Sequence, residues 1–441
     1  MRHSMLNYPV LLVWTVFCLC VSPSPAWSET LSLESVLDRA SEHAWDIRIA
    51  EKDIGIREYG LMEARAAYYP TLNLGFTNEY VDFLGDGESV VSVGDQVSAN
   101  DASTFQHSFT LGLSLVLYDF GARAQRMEKA RREIARAQFG KDEALLEIRL
   151  EVLEAYGQCL QLFRQRQITG EMVRLRTEVF KHLQALRDAG TVGQVRLNSA
   201  AVELAEGISL LDVYTDRLVQ ALENLGYLTG DVYSLEQTVF ADLPPVPSTD
   251  HPPDLTSLPQ IRTIEAEIAR VRAERSVVLR EMLPTFGLTA AYRMFGADED
   301  SFRSSLESLS ARDATVALVA RWEFFSGFRD VARLKQLQLQ VEQLGLEKGR
   351  RMDQLQQQIR AASQIWQLAD GAKGRRDQRE EVLKQSGKAL ERLAEHRVVD
   401  LVTLLEQQIE LMEQERDMEI TQMQRQLAGW QLSLWAEGTM P

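Results

Sequence analysis

The chain has 441 residues, 45% hydrophobic and 25% charged, a composition that excludes a collagen, a low-complexity tail or a disordered chain and leaves two or three domains' worth of globular sequence. Forty-eight basic against 64 acidic residues give a formal charge of −16, which disfavours a basic footprint, so no nucleic acid partner is expected. Three cysteines cannot build a disulfide framework, and their spacing fits no zinc pattern.

Arg2 and His3 precede an apolar run from Val10 to Val21, followed by Ser22-Pro23-Ser24-Pro25-Ala26-Trp27-Ser28. Ala26 and Ser28 form a small-x-small pattern, which predicts a secretory signal peptide over 1–28 cleaved after Ser28. The run is too short for a membrane anchor, since a helical span needs ~20 residues. Phe17 precedes Cys18 and Leu19 precedes Cys20, where a lipoprotein requires a small residue, so the protein is expected not to be lipidated. Cleavage would leave 47 basic residues (48 less Arg2) against 64 acidic, a charge of −17, with Cys159 as the remaining cysteine, read as a packed apolar residue of a helix. No later apolar run approaches the ~20 residues of a helical span, which leaves a β-barrel as the open route into a membrane.

The rest of the chain is two copies of one unit, repeat 1 over 29–230 and repeat 2 over 260–441. Tyr69-Pro70-Thr71-Leu72 is matched by Leu283-Pro284-Thr285-Phe286, and Leu117-Tyr118-Asp119-Phe120-Gly121 by Phe324-Phe325-Ser326-Gly327-Phe328. The offset falls from 214 at the prolines to 207 at Asp119/Ser326, which places a seven-residue deletion in a strand-connecting loop of the second copy. Between the copies, 231–259 holds six of the 12 prolines and reads as a linker.

Each copy reads as helix, two strands, long helix, turn, helix. The first has helices over about 33–68, from Ala122 to a hairpin tip at about 190–195, and on to about Leu228; the second has them near 260–283, 329–396 and 400–435, with a tip at about 396–402. At ~1.5 Å per residue the middle helices are each about 100 Å long, too long for a compact domain. Leu146, Leu150, Leu153, Gly157 and Leu160 form one heptad stripe and Leu145, Ile148, Val152 and Tyr156 a second, so this helix expects two helical neighbours. Met352, Leu355, Ile359, Ala362 and Trp366, and Ile420, Met423, Leu427, Trp430 and Leu434, repeat the pattern. The flanking helices of each copy sum to nearly the length of the middle one, which predicts a rod of uniform double thickness.

Four strands are expected at about 70–83, 104–118, 284–296 and 314–325. Each alternates: Leu72, Leu74, Phe76 and Tyr80 against Thr71, Asn73, Gly75, Thr77 and Glu79; Phe109, Leu111, Leu113, Leu115 and Leu117 against Gln106, Ser108, Thr110, Gly112 and Ser114, with His107 the exception on the apolar face. Phe286, Leu288, Ala290, Tyr292 and Met294, and Val316, Leu318, Ala320, Trp322 and Phe324, give the apolar faces of the other two. An antiparallel sandwich would alternate in the same way. Strands of ~10 residues with aromatics near their ends also suit a transmembrane barrel. Four strands cannot close one, and lipid tolerates no open edge, so several chains would have to contribute. The acidic loops 84–103 and 297–313 then read as extracellular.

The two-copy layout, the Tyr-Pro-Thr-Leu and Leu-Pro-Thr-Phe strand starts and the Leu117–Gly121 and Phe325–Gly327 strand ends together resemble the TolC-like outer-membrane factor (outer membrane efflux protein) family over essentially the whole mature chain. The resemblance implies a mixed α+β, mainly α fold assembled as a homotrimer. Its 12 strands would form one outer-membrane β-barrel set in outer-membrane lipid, continued by a periplasmic α-helical barrel. It also implies docking onto a periplasmic adaptor (membrane fusion) protein and an inner-membrane pump or ABC exporter, so that the chain is the exit duct of a tripartite efflux or type I secretion system, with a periplasmic extension. A secreted periplasmic coiled-coil scaffold is the competing reading.

The family's hairpin tips, where adaptors dock, carry a glycine followed six residues later by an aspartate; here the first tip has Gly190, Thr191, Val192 and Gly193 with Arg196 at the acid's position, and the second has His396, Arg397 and Val398, with His396 at the glycine's. Val402 and Leu405 occupy positions where some members place pore-closing aspartates, and Asp400 and Glu406, within a turn of them, are expected to line the closed entrance instead. Asp119 and Ser326 are expected to cap the helices that follow the strands. The histidines are scattered, and no phosphate loop, nucleophile elbow or paired cysteine site appears, so neither an enzyme nor a bound cofactor or metal is expected.

Overall fold

A computed structural model describes residues 29–81, 90–93, 96–99, 104–247, 253–298, 301–307, 311–371, 378–379, 381–383, 385–389, 392 and 400–438. The expected signal peptide lies outside them. In chain order the elements are β1 (Glu29–Leu31), α1 (Leu33–His43), α2 (Trp45–Ala66), β2 (Thr71–Val81), β3 (Val90–Val93), β4 (Gln96–Ala99), β5 (Thr104–Tyr118), α3 (Ala122–Asp188) and α4 (Gln194–Thr229). They continue with β6 (Thr238–Phe240), α5 (Pro259–Glu281), β7 (Thr285–Asp298), α6 (Phe302–Glu307), β8 (Ala311–Arg321), α7 (Arg329–Gly371) and α8 (Leu401–Glu437).

Local chemistry sets many of these bounds. Ser32 opens α1 with a capping box, its hydroxyl accepting from the Ser35 N–H at 3.3 Å while Ser35 reaches back. Pro70 lacks a donor and its ring crowds the preceding turn, so α2 closes at Ala66 and the chain leaves extended. Pro259 starts α5, where its missing N–H would be unpaired in any case. The helical pattern expected over 33–68 is two helices, because Ala44 is extended and buried, and α1 turns there to pack on both α3 and α4.

The sheet is antiparallel in the order β2-β5-β7-β8, so each copy's own strands pair and the copies join at β5–β7. A bulge between Val116 and Tyr118 locally shifts that central register. Paired residues share a face, which gives rows such as Leu72–Leu113–Ala290–Val316 and Phe76–Phe109–Met294–Arg312. Leu72, Leu74, Val316 and Leu318 on that face are 70, 68, 75 and 79% exposed, so this part of the apolar side of the sheet is covered by none of the described residues. The opposite face carries Thr71, Asn73, Thr289 and the Arg293–Asp313 ion pair at 3.0 Å. The fourth strand spans Ala311–Arg321 rather than 314–325, and the third runs on to Asp298. Each expected loop holds an element of its own, the β3–β4 hairpin in the first and α6 in the second. His107, the exception on the apolar face, is buried under α6: its Nε2 meets the Phe302 carbonyl at 3.1 Å and its ring lies between Phe76 and Phe302.

The helices repeat the order of the strands they adjoin: α2 packs on α3, α3 on α5 and α5 on α7. Farther from the sheet α4 lies along α3, and α8 lies along α3 and α7, giving the doubled rod the helix lengths predict. Two cores hold it. The larger gathers Leu33, Val36, Val152, Tyr156, Leu160, Leu218, Leu225, Ile261, Leu355 and Leu434. The smaller lies near the tips, with Met172, Leu175, Val179, Leu183, Leu197, Val402, Leu405 and Ile409.

The Pro-rich stretch read as a linker is strapped to the larger core. β6 pairs in parallel with β1, and the Tyr156 hydroxyl reaches the Leu31 and Ala241 carbonyls at 2.9 and 2.7 Å, donating to one at a time. Trp430 Nε1 donates to the Pro244 carbonyl at 2.9 Å, while Gly429 lets Trp366 and Val246 lie against the α8 backbone. Among the described residues no helix is long and apolar enough to cross a membrane.

Candidate functional site

Where the first copy's strand becomes its helix, Asp119 accepts from the Gly121 and Arg123 N–H groups at 3.2 and 2.8 Å, which is the expected cap. The Arg123 Nε also donates to it at 3.0 Å, and both side chains are buried. The guanidinium then donates to the Val116 carbonyl at 2.8 Å and lies 4.6 Å from the Tyr68 ring centroid, tying β5, α3 and the end of α2 together. Phe120 and Gly121 turn the chain with positive φ of 52° and 86°. In the second copy Phe328 and Gly327 do the same, with φ of 66° and 62°, but Ser326 caps nothing with its side chain. Its hydroxyl donates to Asp330 at 2.7 Å, because the acid sits four residues on, within the helix.

Below the junction, charge holds the helices side by side. α5 presents Glu267, Glu274 and Glu281, seven residues apart, to Arg136, Lys129 and Arg126 of α3 at 2.9, 3.7 and 2.5 Å. Arg270 donates to both Glu267 and Glu274, and the Glu267 bond above all raises its already high pKa. Burial pushes the Glu274 carboxyl up, but bonds from Arg270 and Arg333 and the Lys129 charge outweigh it and hold the group below the ordinary range.

At the first hairpin tip Gly190 has φ 78° and donates to the Arg187 carbonyl at 2.8 Å; Thr191 donates from its N–H and hydroxyl to Leu186 at 2.9 and 2.7 Å. The last carbonyls of α3 are thereby satisfied within the tip. Gly190, Thr191 and Gly193 are exposed, and Val192 packs on the smaller core. Of the second tip, His396, Arg397 and Val398 lie outside the described residues. Asp400 is exposed at the start of α8; its carbonyl accepts from the Leu404 N–H at 3.0 Å and its carboxylate has no partner among the described residues.

Glu406 is ion-paired with Arg196 at 2.5 Å, so the residue standing at the family's acidic position on the first tip meets an acid from the other hairpin. One heptad along α8, Glu413 pairs with Arg176 at 3.2 Å, and Arg176 also donates to the Glu203 carbonyl at 3.1 Å. Val402 and Leu405 are buried in the smaller core, so within this chain those two positions pack the hairpins against each other. The sequence held both partners of the Arg196–Glu406 pair but no sign that they meet, because 210 residues separate them. The heptad spacing of Glu406 and Glu413 was the available signal.

Among the described residues no group of His, Cys, Asp and Glu has metal-binding geometry. Cys159 is buried, which pushes its thiol up to about 12, so it is protonated at neutral pH. The cleft between α3, α5 and α7 is lined by the ion-pair network rather than by convergent catalytic groups.

Residues 36–231 match the family model of the outer membrane efflux proteins. No curated protein sequence matches the chain. Among solved structures the fold is similar to that of CusC, described for conformational changes accompanying folding and transmembrane channel formation, with a TM-score of 0.73, 18% identity and 92% of this chain against 91% of that one. The Campylobacter jejuni CmeC outer membrane channel has a TM-score of 0.72 and 12% identity over 92% and 85%. The open state of the Neisseria gonorrhoeae MtrE outer membrane channel has 0.64 and 17% over 99% and 97%.

Proposed function

We propose, from the match of residues 36–231 to the family model of the outer membrane efflux proteins, that the chain is a member of that family and that three copies assemble into an outer-membrane exit duct with a periplasmic extension. The observation that carries this reading is the four-stranded sheet with an exposed apolar face and two unpaired edges, β2 and β8. Lipid is the solvent such a face fits, and neighbouring copies are the way to satisfy both edges there. Three copies give 12 strands, an even number within the range of closed barrels.

The helical layer supports the same assembly. Its outer members are α2 and α7, on the sides of the two free strands, and both leave large apolar residues exposed: Trp45, Ile49, Ile56 and Tyr59 on one, Val331, Leu339 and Leu346 on the other. Seams between copies would cover these stripes. A soluble coiled-coil scaffold would have to leave both the stripes and the sheet face in water.

The duct supplies a path and no energy, so an inner-membrane pump or ABC exporter, reached through a periplasmic adaptor, drives the flow in a tripartite efflux or type I secretion arrangement. The adaptor docks at the tips, Gly190–Gly193 and His396–Val398. Asp400 and Glu406 line the closed entrance, with the Arg196–Glu406 link as one of the contacts that opening must break. Membrane fractionation followed by native mass measurement in detergent tests the reading. A trimer in the outer-membrane fraction that conducts ions in a planar bilayer is expected; a detergent-free soluble monomer or dimer overturns it.

A further inference from the structure

The outward face of the sheet carries one arginine among the described strand residues. Arg312 stands opposite Met294 in the row Phe76–Phe109–Met294–Arg312, is exposed, and has no hydrogen-bond or ion-pair partner among the described residues. The comparison within the sheet is Arg293, which faces the other way and is neutralised by Asp313 at 3.0 Å. A guanidinium is never deprotonated in a protein, so Arg312 keeps its charge on a face otherwise built for hydrocarbon.

Its depth suits the membrane surface. Trp322, exposed at the opposite end of the same strand line, donates from its ring N–H to the Met282 carbonyl at 3.1 Å, and its ring centroid lies 6.2 Å from that of Phe324; Tyr118, Phe324 and Phe328, at the strand ends on that side, are also exposed. These aromatics mark the periplasmic interface. Arg312 lies ten residues along the strand from Trp322. At ~3.3 Å per residue and ~40° of tilt that is a rise of about 25 Å, the height of the apolar band of a transmembrane barrel. Arg312 therefore reaches the headgroup level of the outer leaflet.

We propose that Arg312 docks a phosphate of an anionic glycolipid in the outer leaflet, one such contact per copy; this rests on the reading of the chain as an outer-membrane duct. The described polar groups of α6 and its flanks have partners of their own. Arg303 and Glu307 of α6 pair with each other at 3.0 Å, Asp298 accepts from the Ser301 N–H at 2.9 Å, and His107 is covered by Phe302. The planar fork of a guanidinium matches phosphate oxygens in a bidentate way that lysine does not.

Native mass spectrometry of the full-length protein, titrated with bisphosphorylated lipid A, with its dephosphorylated form and with phosphatidylglycerol, tests the assignment. The wild type should hold up to three bisphosphorylated lipids in preference to the other two. Arg312→Gln and Arg312→Leu should weaken that binding about five-fold per site, the size expected for one basic residue at a charged membrane surface. Arg321→Gln, the same charge loss on the inner face, should not. Wild-type binding by Arg312→Leu, or equal binding of the dephosphorylated lipid or of phosphatidylglycerol by the wild type, overturns the docking site alone. A chain recovered outside the outer membrane overturns the duct and the site together.

Discussion

Arg196 on the first hairpin and Glu406 on the second form a 2.5 Å ion pair that joins two segments 210 residues apart. Together with Arg176–Glu413 it is a heptad-spaced pair of links running beside the smaller core, at the end of the rod away from the sheet.

An exposed pair of this kind is worth only ~0.2–1 kcal/mol, so losing it should bias a closed state without unfolding the rod. Glu406→Gln and Arg196→Gln are each expected to raise the basal single-channel conductance. The exchange Arg196→Glu with Glu406→Arg should return it toward wild type. Asp400→Ala breaks no pair, and should weaken block by divalent cations while leaving basal conductance alone. Unchanged conductance in both single variants would sink the proposed place of the pair at the entrance.

Asp119 and Arg123 behave differently because they are buried. Asp119→Ala strands a guanidinium among carbonyls, which costs about 3–5 kcal/mol. A melt followed by circular dichroism should show a large fall in Tm. Adding Arg123→Met should recover part of it, since the uncompensated charge is then gone.

Gly429 and Gly157 separate two kinds of close contact. A Cβ at Gly429 would lie 2.8 Å from the Trp366 ring and 2.8 Å from Val246, neither of which can swing away cheaply; a Cβ at Gly157 meets the flexible end of Leu427. Gly429→Ala should cost ~1–3 kcal/mol by overpacking. Gly157→Ala should cost less in the same melt.

Cys159 gives a pH dependence with a definite sign. Burial raises the folded thiol from 9.0 to about 12, so the contribution of the neutral thiol to stability is complete below pH 9 and is lost as pH rises toward about 12. A Cys159→Ala variant should lose less stability over that window than the wild type. At pH 8 maleimide should label the wild type only after denaturation; rapid labelling of the native protein would contradict the burial.

Much of this molecule is legible locally. The doubled motif at Pro70 and Pro284, the two-residue alternation of the strands and the heptads of α3 and α8 each rest on a short-range rule: a missing donor, a pleat, a helical repeat. So do the cap at Asp119 and the tip turn at Gly190. Where a local pattern misled, a longer-range partner intervened. Within the Pro-rich stretch read as a linker, β6 finds β1 some 200 residues away, and Ser326 finds Asp330 instead of an amide. His107, an apparent error on an apolar face, is resolved by α6 folding back over it.

What the amino-acid order determined alone was therefore the long helices and the four main strands of the two copies, and the side of each strand that seeks oil. Only the tertiary structure decided which long helix lies beside which, that Val402 and Leu405 pack inward, and that Arg196 meets Glu406 while Arg312 has no ion-pair partner among the described residues. Periodicity fixes a residue's face by geometry within a few residues. Pairing across hundreds of residues depends on sheet order and helix register, which no short stretch of sequence contains.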